Sequence, residues 1–403
     1  MFVSCPELCE RIFSSEGKYP VHLVPEPWTI YLQKRNKKRG LFFMDGEEWW
    51  DARRQLNPLL LKHLNLKRMQ PVVEKGVESL LQNWSSGPMR DLERRLYTWS
   101  TSTMLAILLG DSTEARERLE KVIETVVWHV QQIFVTSAVL SLVNTHQAAA
   151  DETPEWKEFE FHVDNGLSMV ETLVKETLAD ARGPKGLALD LAHLGAAIED
   201  IVRILTDLLL AAADTTSITA SWMLHTLATL PKVQETVLQE TRNVCGDKKT
   251  TVDDIKHFRY TSGLTKEVMR LYPVAPFLTR IAQESIILGQ YNVQPGTLLL
   301  MSSYAMGRNP DIFDNPEEVR PERWMRNRKE KYFKKHKMAF ATLPFGHGAR
   351  SCIGRRVAEM QLSLLAARSC QDWRIKSGDP DIKFTMRMIG VPDKPISLVL
   401  EKN

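Results

Sequence analysis

The chain has 403 residues, of which 43% are hydrophobic and 26% are charged, and its formal net charge at pH 7 is +3. This length and this hydrophobic content support a large folded core, which excludes a disordered or low-complexity chain. A net charge so close to neutrality gives no sign of a nucleic-acid-binding surface, and we expect no nucleic-acid partner.

Helical patterns dominate the chain. Ser4-Cys5-Pro6-Glu7 has the form of a capping box before a first helix, whereas residues 18–45, which contain three prolines, are predicted to form a loop. Further helices are predicted to start near residue 46 and to span about 66–84, 90–109, 114–135, 155–180, 197–229 and 232–244, with a short helix around residues 267–270.

The C-terminal part contains the predicted strands. Alternation over residues 281–300 predicts two strands around the turn Gln294-Pro295-Gly296, and the last 30 residues or so resemble strands around Val391-Pro392-Asp393-Lys394-Pro395. Residues 307–344 are predicted to be irregular. The sequence therefore predicts one mainly α domain with small β-sheets over residues 1–403.

Five cysteines are scattered along the chain without the spacing of a disulfide framework, and this favours reduced thiols. Cys5 and Cys9 could share a helix face, but no Cys/His pair elsewhere completes a zinc site. The N-terminus has no secretory or transit pattern, and no run reaches the roughly 18 apolar residues that span a bilayer.

The most informative stretch is the glycine-rich loop at residues 345–354, which presents Cys352 just before a predicted helix. The glycines allow close turns, and the positive end of the helix dipole together with Arg350 favours the thiolate of Cys352 over its thiol. Such a thiolate suits the axial position of a haem iron. A buried structural cysteine is the simpler interpretation. It does not explain why five characteristic residues occur together: Phe345, Gly348, Arg350, Cys352 and Gly354.

The long helix predicted at 197–229 contains a second signal, Ala211-Ala212-Ala213-Asp214-Thr215-Thr216. The alanines leave room for a ligand against the helix, and Thr215 is placed to bond back to the carbonyl of Ala211 and bend the helix. Asp-Thr-Thr is also good N-capping chemistry, which would divide the helix at Asp214. The apolar pattern on both sides of Asp214 favours a continuous helix.

These motifs resemble the cytochrome P-450 family of haem-thiolate monooxygenases, and the resemblance extends from residue 1 to about residue 400. It implies the P-450 fold, with the long central helix over a haem b (iron protoporphyrin IX) and the cysteine loop beneath it. Cys352 would be the iron ligand, and Asp214 and Thr215 would deliver protons during catalysis. Ala212 stands where the family usually has glycine, which narrows the groove. The implied haem contacts besides the iron ligand are Trp49, Arg53, Arg280, Phe345 and Arg350.

A third set consists of Glu267 and Arg270 on one short helix and Arg323 downstream. A Glu and an Arg three residues apart usually form a solvated ion pair of little energetic consequence. Together with the cysteine loop, the set resembles the buried Glu–Arg–Arg network of the family. Its implied role is to fix the segment that carries the thiolate.

Gly354-Arg355-Arg356, Lys266 and Glu47-Glu48-Trp49 resemble the mitochondrial branch of the family. This implies a ferredoxin-type electron donor on a basic face at Lys266, Arg355 and Arg356, although Ser262 replaces a lysine that is frequent in that branch. It also implies a peripheral contact with the matrix side of the mitochondrial inner membrane, and we expect a monomer. A basic run precedes the cysteine loop and consists of Arg326, Arg328, Lys329, Lys331, Lys334, Lys335 and Lys337.

The branch resemblance alone implies an apolar sterol or steroid substrate, nearest to those of the insect ecdysteroid-forming hydroxylases. The walls of the substrate site would come from Trp28, the alanines of the long helix, and residues 274–278 and 388–391. Two alternatives retain the haem: a haem-thiolate isomerase, and a catalytically impaired isoform. The second arises because the chain lacks the usual targeting segment, first helix and first strands, so that we expect an N-terminally truncated domain with unpaired sheet edges. A helical scaffold without haem would require all three motif sets to be accidental.

Overall fold

The computed structural model describes residues 1–111, 113–180, 186–325 and 332–403. Within these residues the fold is mainly helical, as predicted, with short strands. The helices are α1 (Pro6–Ser14), α2 (Glu26–Lys34), α3 (Gly46–Leu61), α4 (His63–Gln82), α5 (Leu92–Leu109), α6 (Thr113–Leu140), α7 (Thr145–Ala150), α8 (Pro154–Ala179), α9 (Leu187–His193), α10 (Ile198–Thr229), α11 (Pro231–Cys245), α12 (Val252–Ile255), α13 (Tyr260–Leu271), α14 (Ser303–Gly307), α15 (Tyr332–Thr342) and α16 (Arg355–Asp372).

The strands are short and lie mostly in the C-terminal half of the chain. They are β1 (Phe2–Val3), β2 (Gly87–Met89), β3 (Phe277–Ile281), β4 (Ile286–Leu288), β5 (Tyr291–Val293), β6 (Leu298–Ser302), β7 (Trp373–Ser377), β8 (Phe384–Met386), β9 (Gly390–Pro392) and β10 (Leu398–Lys402). A 3-10 turn at Pro321–Trp324 follows α14.

The chain divides into two compact units. The first contains Met1–Leu23, Val73–Leu96 and Ile218–Asn403, and the second contains Val24–Val72 and Tyr97–Ser217. All the strands named above belong to the first unit.

The first unit contains the sheets and the cysteine loop. One sheet has the order β1-β6-β3, in which β1 is parallel and β3 antiparallel to β6, so that β6 has a neighbour on both edges. A second sheet has the order β2-β10-β7, and β4-β5 and β8-β9 form two-stranded ribbons. Apolar residues of α1, β6 and α15 share one core cluster, which includes Cys9, Phe13, Met301 and Phe340. Helix α16, which follows the cysteine loop, packs on α11 and α13.

The second unit is helical, and its central pair is α6 packed along α8. The Nδ1 atoms of His129 and His162 lie 3.1 Å apart between these two helices, and both side chains are buried. Burial lowers the pKa of both imidazoles, which favours their neutral forms. Nearby, a small apolar cavity is lined by Trp28, residues of α6 and α8, and Leu209 and Leu210 of α10.

Most predicted helices are confirmed, but the N-terminal region differs from its prediction. Residues 18–45 are not a continuous loop, because they contain α2. Pro27 lies in the first turn of α2, where a missing N–H leaves no hydrogen bond unmade, so that proline did not break the helix. The predicted capping box is also wrong: Cys5 is the N-cap of α1, and its side chain makes no capping hydrogen bond.

Two further predictions in the C-terminal half need correction. Residues 281–300 hold β4, β5 and the start of β6, and Gln294-Pro295-Gly296 joins β5 to β6, which belong to different sheets. Residues 307–344 are not wholly irregular, because α15 lies within them.

The apolar segment Val122–Leu140 of α6 has the length and composition of a membrane span, and 39% of it is buried. No such run was expected from the sequence. Buried helices of soluble proteins satisfy the same criteria.

Candidate active site

The cysteine loop is a series of tight turns. Gly346 and Gly348 have φ angles of 67° and 72°, in the left-handed region that favours glycine. The backbone N–H of Cys352 donates to the carbonyl of Phe345 at 2.8 Å, which closes the loop. Gly354 is the N-cap of α16, so that Cys352 lies two residues before it, with an exposed side chain. The loop therefore presents the sulfur outward at the positive end of a helix, as predicted.

The N-terminal segment of the same unit supports this loop. Arg350 donates its Nε–H to the carbonyl of Pro20 at 2.9 Å, and the ring of His347 lies 5.4 Å from that of Phe13. Arg280 of β3 donates to the carbonyl of His347 at 3.3 Å. These contacts hold the loop to segments that are distant in sequence.

A buried ion pair is part of this support. The Arg280 guanidinium lies 2.6 Å from the carboxylate of Glu16, and both side chains are more than nine-tenths buried. Glu16 also occupies the space where a Cβ on Gly348 would lie, so that this position requires glycine for a second reason besides its φ angle. Glu16 was not among the predicted site residues, because no local pattern distinguishes it from other acidic residues of the chain.

In the second unit, the alanine stretch of α10 has unusual backbone bonding. The hydroxyl of Thr215 donates to the carbonyl of Ala211 at 2.7 Å, as the sequence analysis anticipated. Ser100 donates to the carbonyl of Ala212 at 2.9 Å. Helix α10 continues from Ile198 to Thr229 through this stretch, so the interpretation of Asp214 as a helix N-cap is wrong. Asp214 is buried, whereas Ala211 is exposed.

The residues predicted to contact the haem belong to both units. Trp49 and Arg53 lie on α3 in the second unit, and both are buried. Arg280, Phe345, Arg350 and Cys352 lie in the first unit. Phe345 is half-buried, and its ring lies 5.6 Å from the guanidinium of Arg355.

The Glu–Arg–Arg network is buried, and the solvated alternative is therefore wrong. The Glu267 carboxylate lies 2.7 Å from Arg270 and 3.1 Å from Arg323, and the side chains of Glu267 and Arg270 are fully buried. Trp324 donates its indole N–H to the same carboxylate at 2.8 Å, a contact that the sequence analysis did not anticipate. Arg270 also donates to the backbone carbonyls of Gly307 and Pro316. The network thus joins α13 to the segment that leads to the 3-10 turn.

The structure describes only some of the residues predicted to form the basic face. Arg355 and Arg356 are exposed at the start of α16, and Lys266 is half-buried on α13. Arg355 forms an ion pair with Glu359 at 3.0 Å. Arg326, Arg328, Lys329 and Lys331, and the side chains of Lys334 and Lys335, lie outside the described residues. Lys337 forms an ion pair with Glu7 at 3.1 Å.

The donor set of the loop fits a haem iron. No disulfide engages any of the five cysteines, all of which the structure describes, and the sulfur of Cys352 is exposed beside glycines that leave space around it. An ideal Cβ on Gly354 would lie 3.8 Å from this sulfur. A single exposed cysteine sulfur just before a helix N-terminus, within a loop stabilised by backbone hydrogen bonds, is the arrangement that a haem-thiolate protein requires.

Comparison with known proteins agrees with this class. The family model "Cytochrome P450" matches residues 1–400. The chain is 34% identical to "Cytochrome P450 315a1, mitochondrial" of Drosophila melanogaster, over 99% of this chain and 78% of that protein. It is 30% identical to the mitochondrial cholesterol side-chain cleavage enzyme of Oncorhynchus mykiss, over 98% of this chain and 79% of that protein. It is 28% identical to the mitochondrial 1,25-dihydroxyvitamin D(3) 24-hydroxylase of Mus musculus, over 93% of this chain and 74% of that protein.

The site and the comparisons define a haem-thiolate monooxygenase. The chain belongs to the cytochrome P450 family. The resemblance stated from the sequence is confirmed, and family membership implies a haem with a cysteine thiolate ligand as the cofactor.

Proposed function

We propose that this chain hydroxylates an apolar sterol or steroid, such as an ecdysteroid precursor, in the mitochondrion with dioxygen and electrons from a ferredoxin. The observation that supports this proposal is the similarity, over nearly the whole chain, to mitochondrial proteins whose names include cholesterol and vitamin D enzymes. The matrix side of the inner membrane is the proposed location. The enzyme acts as a monomer formed by one domain over residues 1–403.

When bound, the haem supplies the centre that activates oxygen for insertion into a C–H bond. Cys352 would hold the iron and donate electron density through its thiolate. The residues proposed to hold the propionates are Trp49, Arg53, Arg280 and Arg350; arginine suits this role because it pairs bidentately with carboxylates. Arg280 also forms an ion pair with Glu16 at 2.6 Å. Its guanidinium would therefore have two carboxylate partners, Glu16 and a haem propionate.

The residues of α10 control protons and exclude water. Thr215 holds its hydroxyl proton on the carbonyl of Ala211 in the structure, and Asp214 is buried one residue earlier. Rotation of the Thr215 hydroxyl away from that carbonyl presents the proton to the substrate side, and the carboxyl of Asp214 restores it.

Replacing Thr215 by alanine is expected to preserve haem binding but to uncouple electron use from product formation. The variant loses the hydroxyl that holds the proton at this position, so that hydrogen peroxide forms at the expense of hydroxylated product. Product and peroxide are measured per electron pair consumed. Thr215→Ser, which keeps the hydroxyl, is the matched control and is expected to stay coupled. Equal coupling in Thr215→Ala and the wild-type chain would contradict the role of Thr215.

The C-terminal end of α6 supports a peripheral membrane contact. Leu142 is 88% exposed and Val143 is 54% exposed, beside the half-exposed Val135 and Val139. Such a group of exposed apolar side chains is typical of an interaction surface.

Replacing Leu142 and Val143 together by glutamate is expected to reduce binding to vesicles of phosphatidylcholine and cardiolipin by about tenfold or more. Leu64→Glu is the control, because Leu64 is also a highly exposed apolar residue, at 78%, but lies on α4. Equal loss in both variants would contradict a local membrane contact.

Turnover of a sterol panel with a reconstituted ferredoxin and ferredoxin reductase tests the proposed function. We expect hydroxylated product that requires both dioxygen and ferredoxin. The exposed Arg355 and Arg356, with Lys266, form the proposed docking face. Isomerised product without oxygen consumption would identify a haem-thiolate isomerase instead. Haem binding without turnover of any sterol would identify a catalytically impaired isoform.

A further inference from the structure

The turn that precedes α3 is held by α10 within the second unit. This turn, at residues 40–43, is closed by the N–H of Phe43, which donates to the carbonyl of Gly40 at 3.0 Å. Asp207 of α10 accepts the backbone N–H of Phe42 at 2.8 Å. The Asp207 carboxylate also fills the space where a Cβ on Gly40 would lie, so only glycine allows this close approach.

Two charged residues that precede Asp207 on α10 extend this attachment. Asp200, Arg203 and Asp207 follow one another at spacings of three and four residues, which places them on one face of α10. Arg203 forms an ion pair with Glu48 at 2.8 Å and also donates to the carbonyl of Arg39. Arg203 also lies 2.9 Å from Asp200, which in turn lies 3.4 Å from Lys38.

Asp207 differs from these neighbours because its carboxylate has no direct cationic partner among the ion pairs of the described residues. Burial raises the pKa of Asp207 from its ordinary value of 3.8 to about 7, and only the Phe42 N–H and the more distant charge of Arg203 oppose this shift. The other charged groups at this face are Lys38, Arg39, Asp45, Glu48 and Glu199, which pair with one another and with Asp200 and Arg203.

The turn leads directly into the helix that carries two proposed haem contacts. Asp45 is the N-cap of α3, and Trp49 and Arg53 follow on its first two turns, both buried. A shift of the turn would move the start of α3 and with it these two side chains. We infer that Asp207 is a positioning residue, which fixes the 40–43 turn on α10 and thereby aims Trp49 and Arg53 at the haem propionates. This inference rests on the proposed function, because it presumes that those two residues bind the haem.

The experiment measures haem loss from the reconstituted chain to an excess of apomyoglobin. Asp207→Ala removes the acceptor, and we expect haem to dissociate about tenfold faster, the effect of losing one charge-assisted hydrogen bond. Asp207→Asn keeps an acceptor oxygen and is expected to stay within about threefold of the wild-type chain. Glu171→Gln is the control, because it removes a half-exposed acidic residue of α8 whose ion-pair partner, Lys175, lies on the same helix. Its dissociation rate should match that of the wild-type chain.

A second pair of variants tests the contact independently. Gly40→Ala places a methyl group against the Asp207 carboxylate and is expected to accelerate haem loss to a similar degree. The double variant Gly40→Ala with Asp207→Ala should be no worse than Asp207→Ala alone, because the obstructing carboxylate is gone. Additive losses in the double variant would overturn the inference. So would a dissociation rate for Asp207→Ala equal to that of the wild-type chain.

The pH dependence of stability provides a readout that needs no haem. Because the folded-state pKa of Asp207 is raised, its charge destabilises the fold progressively as the pH rises from about 4 to about 7. Asp207→Asn should therefore unfold at a higher temperature than the wild-type apoprotein at pH 8, and the difference should shrink toward pH 4. A constant difference across this range would overturn the placement of the carboxylate under the turn. Failure of the wild-type chain to bind haem through a thiolate, with this pH trend intact, would instead refute the proposed function.

Discussion

Replacing Cys352 by serine is expected to abolish haem-thiolate ligation and all monooxygenase activity while the fold survives. The side chain of Cys352 is exposed, so the change leaves no buried cavity. The hydrogen bond that closes the loop uses the backbone N–H of Cys352, which serine retains. A serine hydroxyl stays protonated at neutral pH and donates far less electron density to iron than a thiolate.

Haem content, circular dichroism and turnover of the purified variant measure this effect. Cys245→Ser is the matched control, because Cys245 is a half-buried cysteine at the end of α11 and has no role in the loop. We expect the control to retain haem and activity. Sustained turnover in Cys352→Ser, or an equal loss in Cys245→Ser, would contradict the assignment of the iron ligand.

The second large effect is expected at the buried network. Replacing Arg270 by leucine leaves the Glu267 carboxylate fully buried with only Arg323 as a charged partner. It also leaves the carbonyls of Gly307 and Pro316 without this donor. Removing one member of a buried ion pair destabilises a protein by about 3–5 kcal/mol, because an uncompensated charge remains. Urea denaturation should show a loss of this size in the free energy of unfolding.

Arg54→Ala provides the control for this change. Arg54 also belongs to an Arg–acid pair three residues apart, with Asp51, but its side chain is 74% exposed. Exposed pairs of this kind contribute about 0.5 kcal/mol or less. Similar losses for Arg270→Leu and Arg54→Ala would show that burial of the network contributes nothing, and would contradict the structural role given to it.

The features predicted well from the sequence are those encoded by neighbouring residues. The cysteine loop combines glycines, a cysteine and a helix start within ten residues, and each has a local physical meaning. The bond from Thr215 to the carbonyl of Ala211 is also local, since it joins residues four apart on one helix. The burial of Glu267 and Arg270 was less accessible, because an exposed pair has the same spacing, and only the family resemblance favoured the network.

The features that escaped prediction depend on contacts between distant segments. Glu16 and Arg280 are 264 positions apart, and Asp207 lies 165 positions from Phe42. Nothing in the local pattern around Glu16 or Asp207 indicates a partner, because a single acidic residue is usually solvated. Helix α2 was missed for another reason: Pro27 was treated as a breaker, whereas the first turn of a helix tolerates proline.

All the proposed chemistry requires the sulfur of Cys352 to bind the haem iron as an anion. The most direct measurement is the difference spectrum of the reduced, haem-loaded chain with and without carbon monoxide. Thiolate ligation predicts the strongly red-shifted Soret band of this class in the wild-type chain and its absence in Cys352→Ser. A Soret band typical of a neutral thiol or histidine ligand in the wild-type chain, or the same red-shifted band in Cys352→Ser, would contradict it.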